Sequence, residues 1–161
     1  MTDAERYSLL ATPIGEMLLR GDGAALTRVD FVDGRDAVLP EDDWVRDDAA
    51  FADARTQLTA YFAGELTSFD LTLAPDGTPF QTRVWDALQA IPYGQRTTYG
   101  AIAAQLGNPH AGRAVGLANG RNPISIIIPC HRLVGADGSL VKYGGGMHRK
   151  EWLLAMEARQ G

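Results

Sequence analysis

The stretch PISIIIPCHRLVGADG, residues 123–138, holds the only cysteine of the chain, Cys130. Between Ile124 and Ile128 four of the five residues are branched and apolar, which predicts a buried strand. Pro129 closes the run, and Cys130 is followed at once by His131 and Arg132. A cysteine that merely fills a core needs no such neighbours. Two readings stand at this point: an inert buried thiol, the commonest state of a lone cysteine, or a nucleophile with a base beside it.

Upstream of this stretch the chain reads as helices. Thr78-Pro79 is a cap with proline at the first helical position, and Phe80, Val84, Trp85, Leu88 and Ile91 form one apolar stripe. After IPYGQR, Thr98 caps a short helix with Tyr99, Ile102, Ala103 and Leu106 on one face and Gly107 at its end. Asn108-Pro109 then turns the chain into HAGRAVGLANGRNP, and the pair predicts a helix-turn-helix. The second helix is smooth, with Gly112, Ala114, Gly116 and Ala118 between the projecting Arg113 and Arg121. Each helical glycine costs about 1 kcal/mol against alanine, and close approach of the backbone to something is the usual reason. Another helix in the core and a nucleic-acid groove both fit. A smooth face with a single cation suits a narrow groove better than the reading of base edges. Downstream, a last helix carries Trp152, Leu153 and Met156.

The first 74 residues read differently. Apolar runs at Tyr7–Leu10, Met17–Leu19 and Ala25–Phe31 alternate with turn signals at Pro13–Gly15 and Asp22–Gly23. An acidic loop, DGRDAVLPEDDWVRDD, follows. Phe51, Ala54, Leu58, Tyr61 and Phe62 recur at helical spacing, with Asp47 or Asp48 as cap and Gly64 as stop. FDLTL, at 69–73, alternates as a half-buried strand, and APDG, at 74–77, reads as a linker. The expectation is a mixed α/β (α+β) chain of two lobes: a sheet plus helix over 1–74, and a mainly helical lobe over 75–161 that carries the cysteine.

Composition narrows the function. The chain of 161 residues is 45% hydrophobic and 22% charged, ordinary for a globular fold. No run approaches the roughly 18 apolar residues of a membrane span. Acids at the start, in MTDAERYSLL, argue against a signal peptide, so the cytoplasm is expected. One cysteine excludes an internal disulfide and a multi-thiolate zinc site, and the three histidines lack ligand spacing, so no metal or cofactor is expected. The net charge of -5 hides an asymmetry. Residues 1–75 carry 6 Lys and Arg against 15 Asp and Glu, a net of -9, and residues 76–161 carry 9 against 5, a net of +4. A polyanion would meet the second lobe alone.

RAVGLANGRNP before the cysteine box, and KYGGGMHRKEWLLAMEA after it, complete a pattern from about Thr78 to Glu157 that closely resembles the O6-alkylguanine-DNA alkyltransferases. The resemblance implies a ribonuclease-H-like first lobe and a winged helix-turn-helix-like second lobe. It implies repair by irreversible transfer of an alkyl group from O6-alkylguanine, and from O4-alkylthymine, to Cys130, once per molecule. His131 would act as base through a water, with Glu157 orienting it, Tyr99 donating to the purine N3, and Asn122 as a hinge. Leu133, Tyr143, Gly144 and Lys150 would line or border the substrate pocket. Arg113 would take the place of a nucleotide flipped out of double-stranded DNA, while Ala111, Gly112, Ala114 and Gly116 enter the minor groove. Thr98 and Arg121 are assigned to the same surface. The chain is expected to work as a monomer, with cooperativity along DNA left open.

Leu133 and Lys142 depart from the commoner residues of that family, valine or isoleucine and a small residue or asparagine respectively. Two competitors differ in class. A non-catalytic binder of alkylated DNA has tryptophan where this chain has Cys130. A cysteine hydrolase built on Cys130, His131 and Glu157 would leave the helix-turn-helix and Arg113 without purpose.

Overall fold

The computed structural model describes residues 5–34, 39–140, 143 and 145–160. In the first lobe the turn residues set the sheet. Strands β1 (Arg6–Thr12) and β2 (Gly15–Gly21) pair antiparallel across a tight turn in which Gly15 takes φ 128°. Asp22 caps the next turn, its carboxylate accepting from the backbone of Ala24 and Ala25, and β3 (Leu26–Phe31) returns along β2. The stretch read as an acidic loop contributes a short fourth strand, β4 (Val45–Arg46), parallel to β1. The strand order is β3-β2-β1-β4. Met17, Leu18 and Leu19 on β2 are all fully buried, so both faces of this central strand are covered. A 3-10 turn over Asp48–Phe51, capped by Asp47, leads into α1 (Ala52–Phe62), which buries Ala54, Leu58 and Tyr61. Gly64 stops it at φ 77°.

The second lobe is helical. A complete capping box of Thr78 and Gln81 starts α2 (Pro79–Gln89), and the Thr98 side chain caps α3 (Tyr99–Gln105). The helix-turn-helix partner is α4 (Gly112–Gly120), and the chain ends in α5 (Met147–Gln160). Trp85 is buried on α2 and donates its indole N–H to the Ala118 carbonyl at 2.9 Å, tying α2 to α4. Two short strands, β5 (Thr97–Thr98) and β6 (Leu133–Val134), pair in parallel beside the cysteine.

Two expected strands have another form. FDLTL makes a single bridge, Leu73 to Leu26, and leaves Phe69, Leu71 and Leu73 half-buried. The run Ile124–Ile128 is buried as its apolar side chains require, but it is a folded loop. Ile126 stands at φ 74°, a conformation that a β-branched residue rarely adopts. Asn122 holds it there, donating to the carbonyls of Ile128 at 2.8 Å and Ile124 at 3.3 Å and accepting from the Ile124 amide at 3.0 Å. The same segment docks on β3: Val29 donates to the Pro123 carbonyl at 2.9 Å and accepts from the Ser125 amide at 2.7 Å. Residues 72–74 and 123–125 together cover the outer edge of β3, which would otherwise present unpaired backbone. One core cluster runs through both lobes.

Candidate active site

Pro129 ends the loop and Cys130 opens a 3-10 turn, Cys130–Arg132. The Cys130 amide donates to the Ile128 carbonyl at 2.8 Å, and Asn119 on α4 reaches the Cys130 carbonyl at 3.4 Å. The backbone of the cysteine is thereby gripped from both sides. Its side chain is 5% exposed. Burial pushes the thiol up, and the Asn122 side chain, the Lys150 ammonium and the backbone N–H groups of Cys130 and His131 pull against it. The resting state is a thiol that needs a base.

His131 is fully enclosed. Burial lowers its basicity more than the Glu157 carboxylate raises it, so the ring rests neutral. Its Nε2 lies 2.7 Å from Glu157 Oε2. Glu157 is pushed up by burial, but hydrogen bonds from His131, Arg132 and Tyr61 outweigh this and hold it at about 2. An ionised carboxylate can only accept, so Nε2 carries the proton and Nδ1 keeps a free lone pair. Nδ1 is buried and has no partner among the described residues. It is the nitrogen available to a thiol proton, directly or through a water.

Arg132 grips the same carboxylate with two bonds, Nε to Oε1 at 2.8 Å and Nη2 to Oε2 at 3.0 Å. Its remaining nitrogen, Nη1, donates to the Ile91 carbonyl at 2.8 Å. The Tyr61 hydroxyl also donates to Glu157 Oε2, from α1 in the other lobe. The cysteine box thus contains its own counter-ion: His131 and Arg132, adjacent in sequence, converge on one carboxylate of α5.

The other expected residues fall into three groups. Tyr99 opens α3, half-buried, its acidity lowered by burial and by the charge of an ionised Cys130. Lys150 is fully buried and donates to the Leu133 carbonyl at 2.6 Å; Leu133 itself is enclosed in the core. Tyr143 is half-buried, and burial, with the charge of an ionised Cys130 behind it, raises its pKa. Gly144 and Lys142 lie outside the described residues. On α4 the expected residues lie at or near the surface. Arg113, Ala114 and Arg121 are exposed, Ala111 and Gly112 half-buried. Gly116 rests on the Tyr99 ring, and a Cβ on Gly112 would meet no atom within 4 Å. Nothing among the described residues therefore demands glycine at 112. Thr98 is half-buried and occupied in capping α3.

Sequence reasoning missed Arg132 as a partner of Glu157, and Tyr61 and Asn119 altogether. The sole signal for Arg132 was its place in the box. It also missed Leu117, which stands 68% exposed between Arg113 and Arg121 on the same face of α4.

Two family models cover most of the chain. The 6-O-methylguanine DNA methyltransferase DNA-binding domain matches residues 79–159, and the ribonuclease-like domain of the same family matches residues 6–75. The methylated-DNA--protein-cysteine methyltransferase of Methanosarcina acetivorans is 54% identical over 151 residues, 94% of this chain and 97% of that protein. The crystal structure of Mycobacterium tuberculosis O6-methylguanine methyltransferase superposes with a TM-score of 0.90 at 50% identity, over 98% of this chain and 94% of that one. A structure of Mycobacterium tuberculosis OGT in complex with DNA superposes equally well, TM-score 0.90 at 50% identity, over 97% and 94%.

Proposed function

The chain belongs to the 6-O-methylguanine DNA methyltransferase family, and from that premise we propose that it repairs DNA by drawing an alkyl group from O6 of guanine onto Cys130, once per molecule. O4-alkylthymine offers the same alkyl–oxygen bond and is the second substrate. The observation that carries the reading is a neutral, fully buried His131 whose Nδ1 is left without a partner beside a lone thiol.

In the reaction the thiol proton passes to His131, and the sulfur forms a bond to the alkyl carbon as the carbon–O6 bond breaks. The electron pair of that bond moves into the purine, which takes up a proton, so that guanine leaves neutral. Tyr99, whose phenol stays protonated at neutral pH, is the donor at the purine. Glu157 compensates the charge that develops on His131, and Arg132 holds that carboxylate in place. The thioether is stable and no group of the site among the described residues reverses it, which makes the protein a reagent rather than a turnover catalyst.

Residues 1–74 act as the lobe that supports the site, and 75–161 as the lobe that binds DNA and reacts. The exposed face of α4, with Ala111, Gly112, Ala114 and Gly116, fits the minor groove, where Arg113 fills the gap left by the extruded nucleotide and Arg121 meets the phosphates. Asn122 fixes the junction between this helix and the cysteine loop, and Tyr143 and Lys150 border the base. A monomer presents all of these groups. The free thiol calls for a reducing compartment, the cytoplasm; no helix among the described residues is long and apolar enough to cross a membrane.

Incubation with duplex DNA carrying one O6-methylguanine, followed by intact mass and peptide mapping, tests the reading. One methyl group on Cys130, saturating at one per molecule, is expected. Tight binding with no mass change would instead make this a non-catalytic lesion binder, and turnover of acyl substrates a hydrolase.

A further inference from the structure

The first lobe reaches the carboxylate of the site through one side chain among the described residues. Tyr61 lies on α1, 96 residues from Glu157 in sequence, and its hydroxyl donates to Glu157 Oε2, the same oxygen that takes the proton of His131 Nε2. Tyr61 is fully buried, walled by Phe62 at 5.4 Å, Phe69 at 5.5 Å and Tyr93 at 6.1 Å between ring centroids. A tyrosine that only filled this apolar pocket would need no partner for its hydroxyl beyond any nearby carbonyl. Here the partner is the carboxylate that orients the base.

We propose that Tyr61 is a positioning residue of alkyl transfer: by competing with His131 for Glu157 Oε2, it sets how strongly the carboxylate holds the imidazole, and so how basic His131 is. The proposal rests on the reading of Cys130 as the alkyl acceptor and of His131 as its base. The chemistry is that of two donors sharing one acceptor. Each proton given to Oε2 by the phenol leaves less electron density for the imidazole N–H, and a weaker Glu157 bond makes a weaker base at Nδ1. The other groups around the carboxylate stay fixed: Arg132 from the 3-10 turn and Tyr93 after α2, with Tyr143 sensing the same charge and Lys150 acting on His131. Burial and the neighbouring Glu157 charge keep the Tyr61 phenol protonated throughout the working range, so it donates at every pH tested.

Two variants of matched shape push the donor in opposite directions. Tyr61→Phe removes it, and site-specific Tyr61→3-fluorotyrosine strengthens it. Single-turnover methyl transfer from duplex DNA is followed from pH 5 to 9, with thermal midpoints measured alongside. In parallel, the pH dependence of Cys130 alkylation by iodoacetamide is read on the same proteins without DNA. The acid limb of both profiles is expected to move up by about half a pH unit in Tyr61→Phe, the worth of one shared hydrogen bond, and down in the fluorinated protein, with transfer at neutral pH changed less than about twofold. A lower thermal midpoint with unmoved limbs would make Tyr61 a packing residue and overturn the proposal, as would limbs shifted the same way in both variants. If the iodoacetamide limbs move as expected but no variant, nor the wild type, takes methyl from DNA, the assigned reaction fails while the link between Tyr61 and His131 stands.

Discussion

At the scale of single residues the site is an arrangement of protons around Glu157. That carboxylate sits at about 2 in the folded protein against an ordinary 4.5. A depressed acid contributes stability above its unfolded value and loses it as pH falls toward the folded one, so about 3 kcal/mol is at stake between pH 4.5 and 2. His131 acts in the same direction. Its folded basicity is lowered from 6.5, so below that pH the unfolded chain takes up the proton first and the native state weakens. Urea unfolding should therefore show stability flat near neutrality, declining below about 6.5 and falling steeply below 4.5. A profile flat down to pH 3 would mean that Glu157 is not the anchor. Arg132→Lys tests the other side of the pair: an ammonium cannot make the twin bond, and transfer should slow about tenfold with a loss of roughly 2 kcal/mol in stability. The sequence displayed the adjacency of Cys130 and His131 openly. Glu157 was reached only through resemblance, and Tyr61 not at all, because its contact spans 96 residues and its helical spacing reads simply as core.

At the scale of elements, hydrophobic pattern reported burial faithfully and backbone shape less so. The strands β1 to β3 follow their turn signals, and α2 and α3 follow both periodicity and the caps at Thr78 and Thr98, since each is determined by nearby chemistry. The run Ile124–Ile128 misled because four branched residues look the same in a strand as in a buried loop; the deciding feature is the Asn122 side chain, which bonds two carbonyls of the loop. Asn122→Ala should release those carbonyls, leave α1 to α5 intact by circular dichroism, and reduce alkyl transfer at least tenfold as Cys130 loses its fixed place. The smooth face of α4 was read as fitting either a core neighbour or a groove. Gly116 does rest on Tyr99, but Gly112 faces open space. Gly112→Ala should accordingly stabilise the free protein by up to about 1 kcal/mol, as alanine does in a helix. If α4 enters the minor groove, the same methyl group should weaken binding to duplex DNA while leaving reaction with a free O6-alkylguanine base unchanged. Equal DNA affinity in the two proteins would take Gly112 out of the interface.

At the scale of the whole molecule the question is how a chain of net charge -5 holds a polyanion. Residues 1–75 carry -9 and residues 76–161 carry +4, and the two described ions that project most freely from α4 are the guanidinium groups of Arg113 and Arg121. The acidic lobe repels DNA at long range, so encounter has to be oriented, with the second lobe leading. Once bound, the phosphates respond to the cations within reach and hardly at all to the acids beyond a screening length of about 10 Å at 0.1 M salt. Affinity should then fall with salt at a slope set by a few contacts, near 0.9 per neutralised phosphate. Removing Arg121 should lower that slope by about one; if Arg113 fills the gap of an extruded nucleotide as proposed, Arg113→Ala should lower duplex repair far more than reaction with the free base. Neutralising Asp42 and Asp43 on the acidic lobe should raise the association rate at low salt and leave the slope unchanged. Fluorescence anisotropy of a labelled duplex, from 50 to 300 mM salt, separates these outcomes. If Asp42→Asn with Asp43→Asn changed the slope instead of the rate, the first lobe would itself lie against DNA, and the division of labour between the lobes would have to be redrawn.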